Sequence, residues 1–338
     1  MSRPSVSAVV LNYNGGQMVL DCLDTLSRQQ PRCDEVICVD NASADGSLEA
    51  ARSRFPDVKY VELDRNYGFA GGMNRAIDAS SGDYVALINL DVTLEPGYLA
   101  RCAAALEAEP SLAGVTGKLL RPGPSDPAIL DTTGHIVYRN RRAVDRGERE
   151  PDLGQYDGDR ALFSICGAAP VLRREALEDV RLDGEYFDED FFAYFEDFDL
   201  AWRSQLRGWK FAYVPEAVGR HHRGGTGSKA STFILACNHR NRLLVMLRND
   251  SPASFLRHLP GIAYTEFRAT LHMLGKRPSA LALAWAHFFR LLPRQMAKRR
   301  AIQAGRKVGW KELEPGFEPY DYGLRAMVAR ARQRAAIR

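Results

Sequence analysis

The chain has 338 residues, 45% hydrophobic and 26% charged, which excludes a disordered or collagen-like polymer and fits a folded globular protein. Its net charge of +4 joins two unlike parts: residues 1–228 carry 25 basic and 36 acidic side chains, a net of −11, and residues 229–338 carry 21 and 6, a net of +15. Ser279–Phe289, the longest uncharged apolar stretch near the C-terminus, is shorter than the roughly 20 residues that span a bilayer.

In chain order, Met1–Ser5 has no signal-peptide pattern and leads into Val6–Leu11, an apolar run suited to a strand buried on both faces. Gln17–Arg28 has helical spacing, Glu35–Asp40 reads as a strand, and Gly46–Phe55 as a helix. Val58–Leu63, Ala70–Ser80 and Tyr84–Leu90 continue as strand, helix and strand, and a further helix runs from Pro96 to about Ala108. Such alternation predicts crossover units and a mostly parallel, Rossmann-like sheet flanked by helices, with ligands beyond the carboxyl ends of the strands. Residues 121–160, poor in apolar side chains, read as a long, partly mobile excursion with one short strand at His135–Tyr138. Regular patterning returns at Leu162–Leu172 and Ala212–Val214. Beyond the glycine-rich Arg223–Ser228 the chain reads as helices broken at Pro260, Pro278, Pro293 and Pro315. Six cysteines, with no CxxC pair and no zinc spacing, indicate a reduced, cytoplasmic protein.

Polar residues cluster at the expected strand ends. Asp40 follows Val39, where a carboxylate can receive hydrogen bonds from a nucleoside or simply cap the next helix. Asn89 and Asp91 are two apart and so share a face on an extended backbone. Two oxygen donors there can hold a divalent cation, or they end the strand as turn residues. Asn66–Asn74 places glycines ahead of a helix, which suits an anion, but their spacing is not the dinucleotide fingerprint. Asp188–Asp199 mixes six acids with aromatic residues; an apolar setting raises a carboxylate's pKa toward that of a general base, and Glu196-Asp197 are the candidates. The same segment also reads as the apolar face and acidic first turn of a helix. His221-His222 precede a glycine-rich turn, and on an extended segment at most one of them reaches a metal.

The order Val9–Asn14, Val39–Ser43, Asn66–Asn74, Leu87–Asp91 and Tyr194–Leu200 resembles the family 2 glycosyltransferases, and Gly68–Gly72 resembles the rhamnosyltransferase branch that builds bacterial surface polysaccharides. The resemblance covers residues 5–250 and includes Arg240-Asn241-Arg242. It implies an α/β fold of the A-type glycosyltransferase class with a C-terminal helical extension. It implies a catalytic domain over 1–228, divided into a nucleotide-sugar half to about 110 and an acceptor half over 111–228, and a basic helical region over 229–338. The implied activity is inverting transfer from a dTDP- or UDP-sugar to a glycan or lipid-linked acceptor. Asp40 and Asn12 would face the nucleotide; Asn66, Gly71, Asn74 and Asn89 would border the donor; Asp91 and His221 would hold Mg²⁺ or Mn²⁺; Asp197, with Glu196 beside it, would be the base. Where the family often has Asp, this chain has Asn89, a weaker ligand.

Residues 255–310 interleave Leu, Phe and Trp with Lys and Arg. That pattern suits an anionic membrane surface, peripheral on the inner face of the cell membrane, or an apolar stripe packed on the catalytic part. Nucleic-acid binding is disfavoured, because no recognised motif accompanies the charge. A pyrophosphorylase would carry a Gly-rich basic loop after the first strand, which Asn12–Gln17 lacks, and a non-catalytic polysaccharide-assembly protein would not need Glu196-Asp197.

Overall fold

The computed structural model describes residues 3–223 and 231–320, so the glycine-rich stretch after Arg223, where the two charge regimes meet, lies outside the described residues. The early alternation is present as β1 (Val6–Asn12), α1 (Gly16–Ser27), β2 (Glu35–Asp40), α2 (Ser47–Arg54), β3 (Lys59–Glu62), α3 (Gly68–Asp78) and β4 (Tyr84–Asn89). There follow β5 (Val92–Leu94), α4 (Tyr98–Ala108), β6 (Leu112–Leu120), β7 (Leu130–Thr132), β8 (His135–Val137), β9 (Ala143–Asp145), β10 (Ala161–Leu162), β11 (Val171–Arg173), α5 (Arg174–Asp179), α6 (Glu196–Arg207) and β12 (Lys210–His221). The remainder is helical: α7 (Thr232–Asn249), α8 (Pro252–Lys276), α9 (Pro278–Ala304) and α10 (Trp310–Leu313).

The main sheet has the order β3-β2-β1-β4-β11-β6-β12-β10. β3, β2, β1 and β4 are mutually parallel, β6 and β12 are parallel to each other, and β11 runs antiparallel to both β4 and β6. Register aligns Asn12 with Asp40 and Leu11 with Asn89, so the polar ends of β1, β2 and β4 emerge on one edge. Val19, Leu23 and Leu26 of α1 and Leu99 and Leu106 of α4 cover one face of the sheet. Met73 and Ile77 of α3 and Leu200 and Ala201 of α6 cover the other.

Three expectations are corrected. β6 was not anticipated, although all nine of its residues are buried, because Gly114, Gly117 and Lys118 interrupt its apolar run. Lys118 is tolerated there through ion pairs to Asp152 at 3.0 Å and Asp157 at 3.1 Å. The 121–160 excursion is ordered: β7 joins β6, and β8 pairs with β9. Its order comes from buried charged side chains, such as Arg146 bonded to Thr133 and Asp159, which hydropathy does not register. Pro260 and Pro293 lie inside α8 and α9 and do not break them; each forfeits one backbone hydrogen bond within a long helix. Pro278 instead starts α9, where its missing N–H costs nothing, and Pro315 lies in the 3₁₀ turn after α10.

The basic helices are joined to the acidic part by a third core, in which Phe198, Trp202 and Leu206 of α6 meet Leu244 and Val245 of α7 and Ile302 of α9. The opposite charges meet there too. Arg248 is buried between Asp188 and Asp199, Lys298 reaches Glu185 at 2.9 Å and Asp188 at 2.8 Å, and Arg294 reaches Glu185 and Asp190.

Candidate active site

At the carboxyl edge of β1, β4 and β12 lies a cavity of about 610 Å³. Asn66, Asn89, Asp91, Glu196, Asp197 and His221 all line it, so six of the ten residues singled out from sequence come together.

Glu196 and Asp197 open α6, and the backbone before them is unusual. Phe192, Tyr194 and Phe195 adopt φ of 64°, 72° and 72°, a left-handed conformation that non-glycine residues hold only when their surroundings impose it. Those surroundings come from two directions. Asn241 of α7 donates its Nδ2 to the carbonyls of Phe191 at 2.9 Å, Ala193 at 2.9 Å and Tyr194 at 2.8 Å. On the other side Gly68 packs so close that a Cβ there would sit 2.5 Å from the Phe192 carbonyl oxygen, and the Ala70 N–H donates to that oxygen at 3.1 Å.

The turn fixes the two acids differently. Asp197 is half-buried; its Oδ2 accepts from the Gly167 N–H at 2.9 Å and its Oδ1 from the Phe198 N–H at 2.7 Å. Glu196 is buried with no hydrogen-bond partner at Oε2. Burial first, and the neighbouring Asp197 carboxylate second, push its pKa well up.

Across the cavity, Asp91 follows β4 and His221 ends β12, with β5 carrying Val92 opposite His221. His221 Nε2 lies 3.3 Å from Asp91 Oδ1, and its Nδ1 lies 2.8 Å from Oδ2 of the fully buried Asp131. Burial would lower the imidazole pKa, but the bonds to Asp131 and Asp91 outweigh it and raise it to about 9. An oxygen and a nitrogen at that separation fit two ligands of one divalent cation, whose bonds run about 2.0–2.2 Å. Asp131 stands where an outer carboxylate orients a ligating histidine. His222 turns outward, its side chain exposed, and donates its backbone N–H to the Asp91 carbonyl at 2.9 Å.

A second group of ligand-capable atoms, from His135, Asp145 and Cys166, lies within 4.8 Å in the same cavity. It suits a cation less well. Arg223 occupies Asp145 Oδ2 at 2.6 Å, and burial, then Asp145 and Asp197, hold the Cys166 thiol protonated. His135 Nε2 stands 3.8 Å from Asp145 Oδ1 and 4.0 Å from Asp197 Oδ2.

Four residues expected at the donor do not line the cavity. Asp40 and Asn12 are buried behind its rim: Asp40 accepts from Asn12 Nδ2 at 2.8 Å and from the Ser43 N–H at 2.9 Å, so its oxygens close a turn. Gly71 lies within α3, its carbonyl taken by Arg75. Asn74 is spent on Tyr186 and Phe187, accepting both their N–H groups and donating to the Phe187 carbonyl. In their place Tyr13 and Asn41 reach the wall, Asn41 bonded to Asn66 at 3.0 Å. Asp131, His135 and Asp145 were given no site role from sequence, because they lie in the polar excursion; Asn241 fell within the Arg240-Asn241-Arg242 stretch of the resemblance, but nothing in residue order tied it to the turn before Glu196.

Two asparagines beside a strand-end carboxylate, a histidine across from it and an acid pair on a forced turn thus share one cavity. That arrangement agrees with the sequence comparison: residues 7–181 match glycosyl transferase family 2. The chain belongs to that family. Among its relatives, the N-acetylglucosaminyl-diphospho-decaprenol L-rhamnosyltransferase of Mycobacterium tuberculosis is 28% identical over 272 residues, covering 72% of this chain and 84% of the relative. The amylovoran biosynthesis glycosyltransferase AmsB of Erwinia amylovora is 27% identical over 231 residues, 66% and 71% of the two chains. This family 2 glycosyltransferase is therefore rhamnosyltransferase-like. It has the A-type fold of the mannosyltransferase PcManGT from Pyrobaculum calidifontis, solved with GDP-Man and Mn²⁺ (TM-score 0.54, 21% identity, 90% of this chain and 86% of that one). It is similar also to S. aureus TarS 1-349 in complex with UDP-GlcNAc (TM-score 0.54, 16% identity, 89% and 88%). Family membership sets aside the pyrophosphorylase reading.

Proposed function

We propose that the protein transfers a sugar, rhamnose or one like it, from a dTDP- or UDP-sugar to a hydroxyl of a lipid-linked glycan by single displacement with inversion. The observation that carries this reading is Asp197: a half-buried carboxylate fixed by the Gly167 and Phe198 N–H groups, open to the cavity, and facing across it the Asp91–His221 pair. The acceptor hydroxyl loses its proton to Asp197 as its oxygen bonds the anomeric carbon, and the bond from that carbon to the nucleoside diphosphate breaks on the opposite side. Glu196, whose burial raises its pKa and so favours the neutral carboxylic acid, would donate a hydrogen bond to a sugar oxygen beside the base. Tyr13, Asn41 and Asn66 form the nucleoside wall.

Asp91 and His221 would hold the divalent cation, which supplies positive charge for the leaving diphosphate. An imidazole in the set favours Mn²⁺, because Mg²⁺ prefers oxygen ligands. Asn89 adds a neutral oxygen from the same wall. The relative from M. tuberculosis is named for a decaprenol-linked acceptor, which supports a lipid-linked substrate here. No helix among the described residues is long and apolar enough to cross a membrane. The proposed access to such a substrate is peripheral, from the inner face of the membrane.

A thermal-shift screen of dTDP-, UDP- and GDP-sugars, with and without Mn²⁺ or Mg²⁺, tests the donor assignment, since a ligand that binds only the folded state raises its stability. A metal-dependent upward shift with dTDP-rhamnose is expected; no shift with dTDP- or UDP-sugars contradicts the reading.

A further inference from the structure

α8 is amphipathic the wrong way round for a helix that only packs inward. Ser254, His258, Gly261 and Ile262 are its buried residues, whereas Leu256, Leu259, Tyr264, Phe267, Leu271 and Leu274 are 39% to 65% exposed. At 100° per residue these six side chains fall on one face, opposite the buried one, and run most of the length of a helix of about 37 Å. Isolated exposed apolar residues are ordinary, but a stripe along 25 residues marks a surface that meets something apolar.

The charge on this helix says what that is. Its acid, Glu266, turns inward to Arg242 at 2.7 Å, leaving no carboxylate on the outer face. Arg257, 63% exposed, and Arg268, set over the Tyr264 ring, flank the stripe, with Lys276 and Arg277 at its end. Arg257 also reaches Glu314 at 3.4 Å. An apolar face flanked by these cations, with no acid of its own helix beside it, complements an anionic lipid interface, where Leu and Phe enter the acyl boundary while Arg and Lys meet the headgroups. The neighbouring candidate is weaker, because Phe288 and Leu291 of α9 already pack against the core of α6 and α7, leaving Phe289 outside.

We infer that the outer face of α8 docks the enzyme on an anionic membrane, with Leu256, Tyr264, Phe267, Leu271 and Leu274 as the inserting residues. The inference rests on the proposed lipid-linked acceptor, which such docking would bring within reach of the cavity. It narrows the expected 255–310 surface to one helix face.

Sedimentation of the full chain with vesicles tests it, comparing phosphatidylglycerol/phosphatidylcholine with phosphatidylcholine alone at roughly 0.1 M and 1 M salt. The unmodified protein is expected to bind the anionic vesicles at low salt, and a Phe267→Glu, Leu271→Glu double variant to bind more than about tenfold less. The variant's unfolding temperature and its transfer to a water-soluble acceptor should be unchanged. Loss of vesicle binding with that transfer intact supports the docking face independently of the transferase reading. Equal vesicle binding by the variant would overturn the inference, as would no binding by the unmodified protein at low salt. So would a dimer that the variant splits without any effect on vesicles, since a second copy would then cover the face.

Discussion

Arg248 and Asp199, 49 residues apart in sequence, form an ion pair whose side chains are 0% and 1% exposed. The same guanidinium reaches Asp188, so one residue of the basic helices neutralises two acids of the catalytic part. Burial opposes ionisation of both acids, but Arg248 holds each carboxyl below the usual range. Arg248→Met is expected to cost about 3–5 kcal/mol, because it leaves two buried carboxylates short of a partner. Both pKa values are depressed, so this contribution is present above the unfolded value of 3.8 and is lost as pH falls below it. Urea unfolding at neutral pH and at about pH 3 measures both effects.

Asn241 acts on the base through the backbone. Its amide bonds the carbonyls of Phe191, Ala193 and Tyr194, in the turn that leads into Glu196-Asp197 at the start of α6. Asn241→Leu is expected to lower kcat about 10²-fold with little change in the donor KM, because a small shift of the turn displaces Asp197. A residue that only supported folding would reduce the amount of active enzyme and its melting temperature, leaving kcat per folded molecule unchanged. Asn241→His, which retains a donor, should recover part of the rate.

Asp131 is the carboxylate behind His221. Replacing it with Asn keeps the volume and removes the charge that fixes the imidazole, and also loosens Arg223, bonded to it at 2.6 Å. Mn²⁺ affinity, followed by electron paramagnetic resonance without substrate, is expected to weaken about 10–100-fold. Unchanged affinity would remove Asp91–His221 as the cation site.

Glu196 gives a pH signature of the opposite sign to Asp199. Its folded pKa is raised, so above the unfolded value of 4.5 the native state binds more protons than the unfolded chain, and stability falls as pH rises. Glu196→Gln removes that dependence. The variant should gain stability relative to the parent between about pH 5 and pH 8 in parallel chemical denaturations.

The part of the fold carried by apolar periodicity was legible in the sequence. β1, β2 and β4 announce themselves as apolar runs, and the end of β4 placed Asn89 and Asp91 on the cavity wall. Asp40 and Asn12 share those ends but are turned into each other, a choice of side-chain direction that residue order does not encode. β6 and the 121–160 segment were illegible for another reason: Lys118, Arg146 and Asp131 are buried by ion pairs between residues distant in sequence. The opposite charges of the two halves were visible, but not that Arg248 and Lys298 spend theirs on Asp188 and Glu185. The basic half thus shares in building the site, through Asn241 on the turn before Glu196, while its cations neutralise acids outside the cavity, and its outward apolar face is confined largely to α8.

The central claim is that Asp197 takes the acceptor's proton. The most direct measurement is single-turnover transfer by Asp197→Asn with saturating donor, alongside donor binding by calorimetry. The expected result is a rate lower by about 10²–10⁴-fold with donor affinity and melting temperature close to those of the parent. Transfer at the parental rate by a variant that binds donor normally would contradict it.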